Sequence, residues 1–543
     1  MQSKTSYWAL SAGPLVTLSL GSGITSDPNI FKLLVLGIIS SLSLGSVIMD
    51  AIKNPVILKS QIFVISYFFI LALFVPIFFS DAPIAQQIFG TYGRNLGFLH
   101  YFFLTVIMLG ISRLNFKAFV PSFLKSIVGV GVFESIYATI QFFGYDPIPW
   151  KNTDKWVFGT FGNPNYLSSF LSLSVITTTY FALINRRNKY RIFFAIGSLF
   201  QLISIFLTAS TQGLILVSIG FCALIIHHCF NYSTFLGWAI LSIGSLTAIF
   251  AVYGIFQSGP LAPYLYQESV SFRGDYWRAG LRMFQANWTH GVGLDSYGDF
   301  YRMYRDELSA HRRGLEIVSN SAHNLLIDLS ATGGVVLLIA YLILIIIMIL
   351  KIVNMSKPSE GLTPDSKLLI ILWVLFNLQT LISINIPSLA VWGWIISGLI
   401  FSYDKFSNST KNGDQRFDKR LKNTQLRIKL SCSTLLILIM FPLVSRDIKF
   451  STALSKNDIT EIASVAAIFP RDSNQISSVA KAFEKIGRNK QAFELAKIAV
   501  QENLHSSIAW QIIYESEYAN LSEKVEAKKA LIKLDPYYTL KFD

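Results

Sequence analysis

The chain has 543 residues, of which 52% are apolar, 14% aromatic and only 14% charged. Soluble domains carry about 25% charged residues, so the composition excludes an ordinary soluble domain and predicts a polytopic membrane protein. The formal charge of +14 lies mostly in short loops between apolar runs, where it reports membrane topology rather than nucleic-acid binding.

Apolar runs near the ~20 residues needed to cross a bilayer fall at 7–24, 30–49, 57–79, 96–112, 118–143, 165–184, 192–209, 213–230, 234–257, 324–350, 368–384, 388–402 and 430–445. Tyr7–Ile24 lacks a small-residue cleavage site and leads straight into a second run, so the first span is expected to be retained. Cys222, Cys229 and Cys432 lie in or beside apolar runs, which predicts neither a disulfide nor a thiolate metal site.

Basic residues alternate along the chain. Lys53 and Lys59, Arg113 and Lys117, Arg186 to Arg191, Lys351 to Lys367 and the dense Lys405–Lys429 stretch all fall on one parity. The positive-inside rule makes that the cytoplasmic side and puts the N-terminus there. Loops 80–95, 144–163, 210–212 and 258–322, with the C-terminal tail, are then extracytoplasmic.

The longest polar interruption, Ser258–Asn324, holds seven arginines and no lysine, matched through Ala322 by seven acids. A guanidinium presents a planar fork suited to phosphate oxygens, whereas an ammonium is a point charge. Arg273, Arg278 and Arg282 are therefore candidate anion-binding residues. Arg94 follows Gly90-Thr91-Tyr92-Gly93 at the end of an earlier loop on the same side. Glu134 lies inside an apolar run, where a carboxylate is a functional candidate by default; a structural partner such as Arg94 is the plain alternative. Gly159-Thr160-Phe161-Gly162-Asn163-Pro164-Asn165-Tyr166 opens a span, with Asn163 placed as a helix cap. His323 stands at the mouth of another span, followed by Asn324; neutral imidazole has the acid–base range for a general base. Asp328, five residues further on, is at a poor helical offset for touching His323 directly.

Beyond residue 445 the chain turns polar and helix-friendly. Ala480, Phe483, Gly487, Ala492, Ala496 and Ala499, with Pro470 before and Trp510 after, are spaced like a tetratricopeptide repeat. A generic helical hairpin is the equal alternative.

Gly159–Tyr166, Arg273-x-x-x-Trp277, Gly291-Val292-Gly293-Leu294 and Ala322-His323-Asn324 followed by Gly333-Gly334 together resemble the O-antigen ligase family, which takes in Wzy polymerases and protein O-oligosaccharyltransferases. The resemblance spans roughly 7–401. It implies an all-α, GT-C-like bundle of about 12–13 transmembrane helices, a metal-independent glycosyltransferase without cofactor. Its donor would be an undecaprenyl-pyrophosphate glycan on the outer face of a bacterial plasma membrane, and its acceptor a glycan, lipid or protein hydroxyl. Arg273 matches the family arginine that holds the carrier pyrophosphate, and His323 the candidate catalytic histidine. Many members carry an arginine where this chain has Gln212, so either Arg94, Arg278 or Arg282 supplies the missing charge or the substrate differs from that of the ligases, with Gln212, Asn163, Asn165, Asn324 and Glu134 as further binding candidates. The expected organisation is a transmembrane domain over 1–402 containing an extracytoplasmic loop at 258–322, a basic cytoplasmic loop at 403–429, a last span at 430–445 and an extracytoplasmic helical domain at 446–543 that can meet a protein partner. A lipid-linked-glycan flippase or an assembly scaffold are the readings from other classes. A transporter, however, keeps its polar groups near the midplane, and this chain gathers them in one loop.

Overall fold

The structure, a computed structural model, describes residues 7–148, 152, 155–255, 259–260, 262–265, 268–314, 317–356, 362–403 and 419–537. Most of the basic 403–429 stretch, together with Ser258, Glu316 and Lys357, lies outside these.

Every described element is helical, and each of the thirteen apolar runs falls on a helix. They are α1 (Tyr7–Leu18), α2 (Pro28–Lys53), α3 (Gln61–Phe79), a short α4 (Ile84–Phe89), α5 (Phe98–Ile111), α6 (Phe116–Phe142), α7 (Pro164–Ile184), α8 (Asn188–Leu207), α9 (Thr211–Tyr232) and α10 (Thr234–Ile255). After the arginine-rich segment come α15 (Leu325–Met355), α16 (Pro364–Thr380), α17 (Pro387–Ser402) and α18 (Lys419–Ser455). Among the described residues eight helices are long and apolar enough to cross a membrane. Shorter apolar helices lie at Trp8–Leu18, Phe98–Ile111, Thr234–Thr247 and Pro387–Ser402.

Two differences from the sequence reading have local causes. The first helix stops at Leu18, because Gly21 and Gly23 turn the chain at φ +60° and +77°. The last long helix runs over Lys419–Ser455 rather than 430–445. Lysine and arginine favour helix, so its basic start continues the span, and its length packs along α2.

The arginine-rich segment is itself folded. It forms α11 (Ala262–Leu265), α12 (Glu268–Ala286), α13 (Tyr297–Tyr304) and α14 (Glu307–Arg313). Tyr276, Met283, Val292, Tyr297, Tyr301, Ala322 and Ala331 make a small core beneath it. That core is pinned to α15 by a backbone joint. Gly334 interrupts α15 at φ +71°, and Val335 N donates to Trp288 O at 2.7 Å. On the other side of the break Val292 N and Gly293 N donate to Ala331 O and Thr332 O at 2.9 and 3.0 Å. Groups freed inside an apolar helix need such partners. A Cβ on Gly334 would lie 2.5 Å from Thr289 O, and one on Gly291 2.4 Å from the Thr332 carbonyl carbon. The Gly291–Leu294 and Gly333-Gly334 motifs are thus two halves of one joint.

After α18 the chain forms α19 (Ile459–Ala466), α20 (Ser473–Lys485), α21 (Asn489–Glu502), α22 (Ser507–Glu515) and α23 (Leu521–Leu534), successive helices packing on one another. Their core, including Ile476, Phe483, Phe493, Trp510 and Leu531, is separate from that of the membrane bundle.

Side-chain contacts sort the connections to two ends of the bundle. At one, Arg113 meets Asp50 at 2.6 Å and Tyr180 donates to Asp365 at 2.7 Å. At the other, Arg94 and Thr91 of loop 80–97 meet Asp295 of the arginine segment, and Tyr92 meets Asp472 of the C-terminal helices.

Candidate active site

Arg273 sits on α12, and burial lowers its pKa from the ordinary arginine value, with the facing Tyr166 working the other way. Its Nη2 donates to Gln212 Oε1 at 3.3 Å. Gln212, in the first turn of α9, is only 4% exposed and donates from Nε2 to Ser169 Oγ on α7 at 2.8 Å. A partly desolvated guanidinium facing a neutral amide keeps its charge uncompensated by that partner, and so suits an incoming anion.

The start of α7 is fixed by its own asparagines. Asn163 caps it through Asn165 N at 2.9 Å. Asn165 Oδ1 accepts from Ser210 Oγ at 2.7 Å, and Ser210 accepts from Ser168 Oγ at 2.9 Å. These bonds tie α7 to the α8–α9 turn, which places Gln212. Both asparagines therefore position the site.

One turn beyond Arg273, the ring of Tyr276 stacks on His323 with centroids 5.4 Å apart and planes 24° apart. The Arg273 guanidinium and the His323 imidazole thus belong to one helix face and its neighbour. His323 adopts φ +53°, a left-handed conformation that non-glycine residues rarely hold. Neighbouring bonds maintain it. Asn324 caps α15, accepting from Leu326 N and Ile327 N at 3.0 and 3.2 Å, and Ser321 Oγ accepts from His323 N at 3.0 Å. Asp328 then reaches back from the first turn of α15. Its Oδ2 accepts from Ser321 Oγ at 2.5 Å and its Oδ1 from Ala322 N at 2.8 Å. The helical offset argued against contact with His323, yet the chain doubles back at residue 323, so the carboxylate fixes the segment that presents the imidazole. Asp328, a second-tier candidate on sequence, therefore holds Ser321 and Ala322, a relation that a helical periodicity rule does not reveal.

The other candidates are more fully committed to protein partners. Arg94 pairs with Asp295 at 3.1 Å and also donates to Asn320 O, lacing the α4–α5 loop to the segment before His323. Asp295 also accepts from Thr91 N and Leu96 N at 2.8 and 3.0 Å. Burial raises its pKa, with Arg94 and those amides opposing. Arg278 lies between Asp275 at 2.5 Å and Asp306 at 2.7 Å. Arg282 is exposed and donates to Tyr304 O at 3.4 Å. Glu134 is fully buried, but its partner is Thr160 and not Arg94: it accepts from Thr160 Oγ1 at 2.5 Å and Thr160 N at 3.0 Å. The turn at Gly159–Phe161 folds back over α6, so Glu134 serves that turn while Arg94 is engaged elsewhere.

The C-terminal helices close on the same end. Arg305 Nη2 donates to both oxygens of Asp535 at 2.9 Å, with Arg302 at 3.9 Å. Asp299 on α13 accepts from Gln86, Asn474 and Asn503 at 2.8, 3.0 and 2.9 Å. Burial raises its pKa to about 6, with those bonds opposing. Tyr92 N donates to Asp472 at 2.7 Å.

No His, Cys, Asp or Glu cluster suited to a metal ion occurs among the described residues. No curated protein matches the chain. The family described as O-antigen ligase matches residues 196–342, from within α8 to the first half of α15, a stretch that contains Gln212, Arg273, Arg278, Arg282, His323 and Asn324.

Proposed function

We propose that this chain transfers a glycan from undecaprenyl pyrophosphate to an acceptor hydroxyl at the outer face of a bacterial plasma membrane. The observation that carries the reading is the Arg273–Gln212 and Tyr276–His323 arrangement, at the mouth of apolar helices and inside the stretch that matches the ligase family. The acceptor oxygen attacks the anomeric carbon as its proton passes to His323. The bond from that carbon to the pyrophosphate oxygen breaks, and the electron pair leaves with the diphosphate. Arg273 faces that developing charge, where a preoriented cation lowers the barrier most. A base of this kind contributes about 10²–10⁴-fold.

Arg273 acts with the amide of Gln212 where family members have a second arginine. Arg94 and Arg278, being paired, hold the loop rather than the donor. The N-terminus is cytoplasmic and the C-terminal helices extracytoplasmic in this reading. Residues 1–402 form the catalytic unit with the loop at 258–322, 403–429 a basic cytoplasmic loop, 430–445 the apolar centre of the last span and 446–543 a repeat-like module. That module, sitting beside α13, suits contact with the acceptor or a protein partner. A polymerase reading differs only in its acceptor, a second lipid-linked repeat.

The test is purified protein in lipid nanodiscs with an undecaprenyl-pyrophosphate oligosaccharide and lipid, protein or lipid-linked-glycan acceptors. Arg273→Ala and His323→Ala should each abolish transfer while leaving thermal unfolding unchanged. Full transfer by either variant removes its residue from the site, and acceptor choice separates ligase, protein transferase and polymerase.

A further inference from the structure

Buried polar groups without protein partners concentrate at one place that the transfer chemistry does not use. It is the turn joining α16 to α17, faced by the first turn of α5. Gln379, Ser383, Asn385, Ser388 and His100 are 1%, 2%, 3%, 0% and 0% exposed. Both head atoms of Gln379 and Asn385, both ring nitrogens of His100 and the hydroxyls of Ser383 and Ser388 make no hydrogen bond. These are eight of the twenty-five such side-chain atoms among the described residues, so the deficit is local rather than scattered. The imidazole of His100 lies against the Asn385 backbone in a weak hydrogen-bonding contact, but neither nitrogen meets it with the geometry of a full bond.

The surroundings offer no relief. Tyr101 meets the His100 ring edge-on at 5.0 Å, and Phe69 packs on Tyr101, Tyr341 and Trp394 at 6.1, 6.2 and 5.8 Å. In an apolar interior, buried polar heads are matched by protein, water or ligand. All five heads here are neutral, and amide, hydroxyl and imidazole together both donate and accept. With no formal charge in the set, that chemistry favours neither a phosphate nor a metal cation. It fits O–H groups.

We propose that the α16–α17 turn and the first turn of α5 enclose a hydroxyl-binding site, filled by ordered water or by sugar hydroxyls. A buried water makes about three hydrogen bonds, so the eight atoms suit two or three waters. Tyr101, next to His100, packs through Phe69 beside Tyr341 of α15, the helix that His323 precedes. The assignment does not depend on the transfer reaction, because its readout needs no turnover.

Radiolytic hydroxyl labelling of the full chain in nanodiscs tests it, since bound water oxidises side chains that bulk solvent cannot reach. His100 and Tyr101 should be oxidised at least fivefold faster than Met348, which is equally buried in α15. Labelling that persists when an undecaprenyl-pyrophosphate disaccharide is added assigns the site to water, and protection by the disaccharide assigns it to sugar hydroxyls. Oxidation no faster than Met348 overturns the proposal. Apolar replacements give an independent reading. If O–H groups fill the site, Gln379→Met with Asn385→Leu lowers the unfolding temperature by several degrees and suppresses His100 labelling. If the site is dry, the same pair raises the unfolding temperature, because unmatched polar groups have been removed, and the proposal fails.

Discussion

Asp328→Asn isolates the role of the carboxylate beneath the His323 segment. The native side chain accepts two hydrogen bonds, from Ala322 N at 2.8 Å and Ser321 Oγ at 2.5 Å. An asparagine keeps one acceptor and presents an amide N–H₂ where the second oxygen stood. One charge-assisted bond is lost, and such bonds contribute about 1.5–3 kcal/mol. The loss falls on a segment already in a left-handed backbone conformation at His323, which costs roughly 1–2 kcal/mol outside glycine. If the whole deficit goes into populating other arrangements of residues 319–323, the competent fraction falls about 10–150-fold, at 1.36 kcal/mol per factor of ten. Single-turnover transfer should slow by that range, while donor binding at Arg273 changes little. Carbethoxylation of His323, followed by mass spectrometry, should change rate in the same variant without any donor present. Asp328→Glu should recover less than Asn loses, because the longer arm cannot keep both bonds in register. Transfer within threefold of the parent, together with unaltered carbethoxylation, would refute the positioning argument even if His323 itself proved essential.

Other outcomes follow from the same geometry. Asp535→Ala strands Arg305, 3% exposed, without its carboxylate, and breaking such a pair costs about 3–5 kcal/mol; hydrogen exchange should rise across α19–α23 and α13 while the membrane helices stay protected. Gln212→Arg sets a second guanidinium against Arg273, so the unfolding temperature should fall in plain buffer and recover with added pyrophosphate; recovery no larger than the parent's would count against a diphosphate there. Gly334→Ala meets both a positive φ and backbone 2.5 Å away, so the joint with Trp288–Gly293 should open, and proteolysis between α12 and α13 should accelerate. Glu134→Gln retains an acceptor for Thr160 and should leave transfer within a few-fold; complete loss would mean the carboxylate acts on substrate.

The bundle was legible because lipid imposes one rule on sequence: a span must be apolar for its whole length. Loop charge sorts the connections into two expected sides, and Asp50, Asp295 and Asp472 each meet a residue expected on the same side. What the sequence concealed were relations between distant segments. Nothing local links Gly291 to Gly334 or Arg305 to Asp535, and each pair meets only once the arginine segment has folded over α15 and the C-terminal helices have closed on α13. Glu134 shows the same limit: its burial was readable, but not that Thr160 would be its partner.

The arginine bias needs a finer account than phosphate affinity alone. Arg278 and Arg312 pair with carboxylates of the segment itself, Arg302 and Arg305 with Asp535 of the C-terminal helices. A planar guanidinium suits such pairs as well as it suits phosphate, since its several fixed donors can hold two partners at once, as Arg278 holds Asp275 and Asp306. Excluding lysine is therefore explained in large part by architecture. Arg273 differs because its partner is an amide, and burial already disfavours its charge. A cation in that position gains most from an arriving anion, while a paired one would first have to give up its carboxylate. What sets Arg273 apart from Arg278, Arg302, Arg305 and Arg312 is the neutrality of its Gln212 partner, and the proposed donor-binding role rests on that difference. In the proposed transfer, one charge instead of two spares the resting site repulsion between guanidiniums, and the Gln212 amide orients Arg273 for the diphosphate.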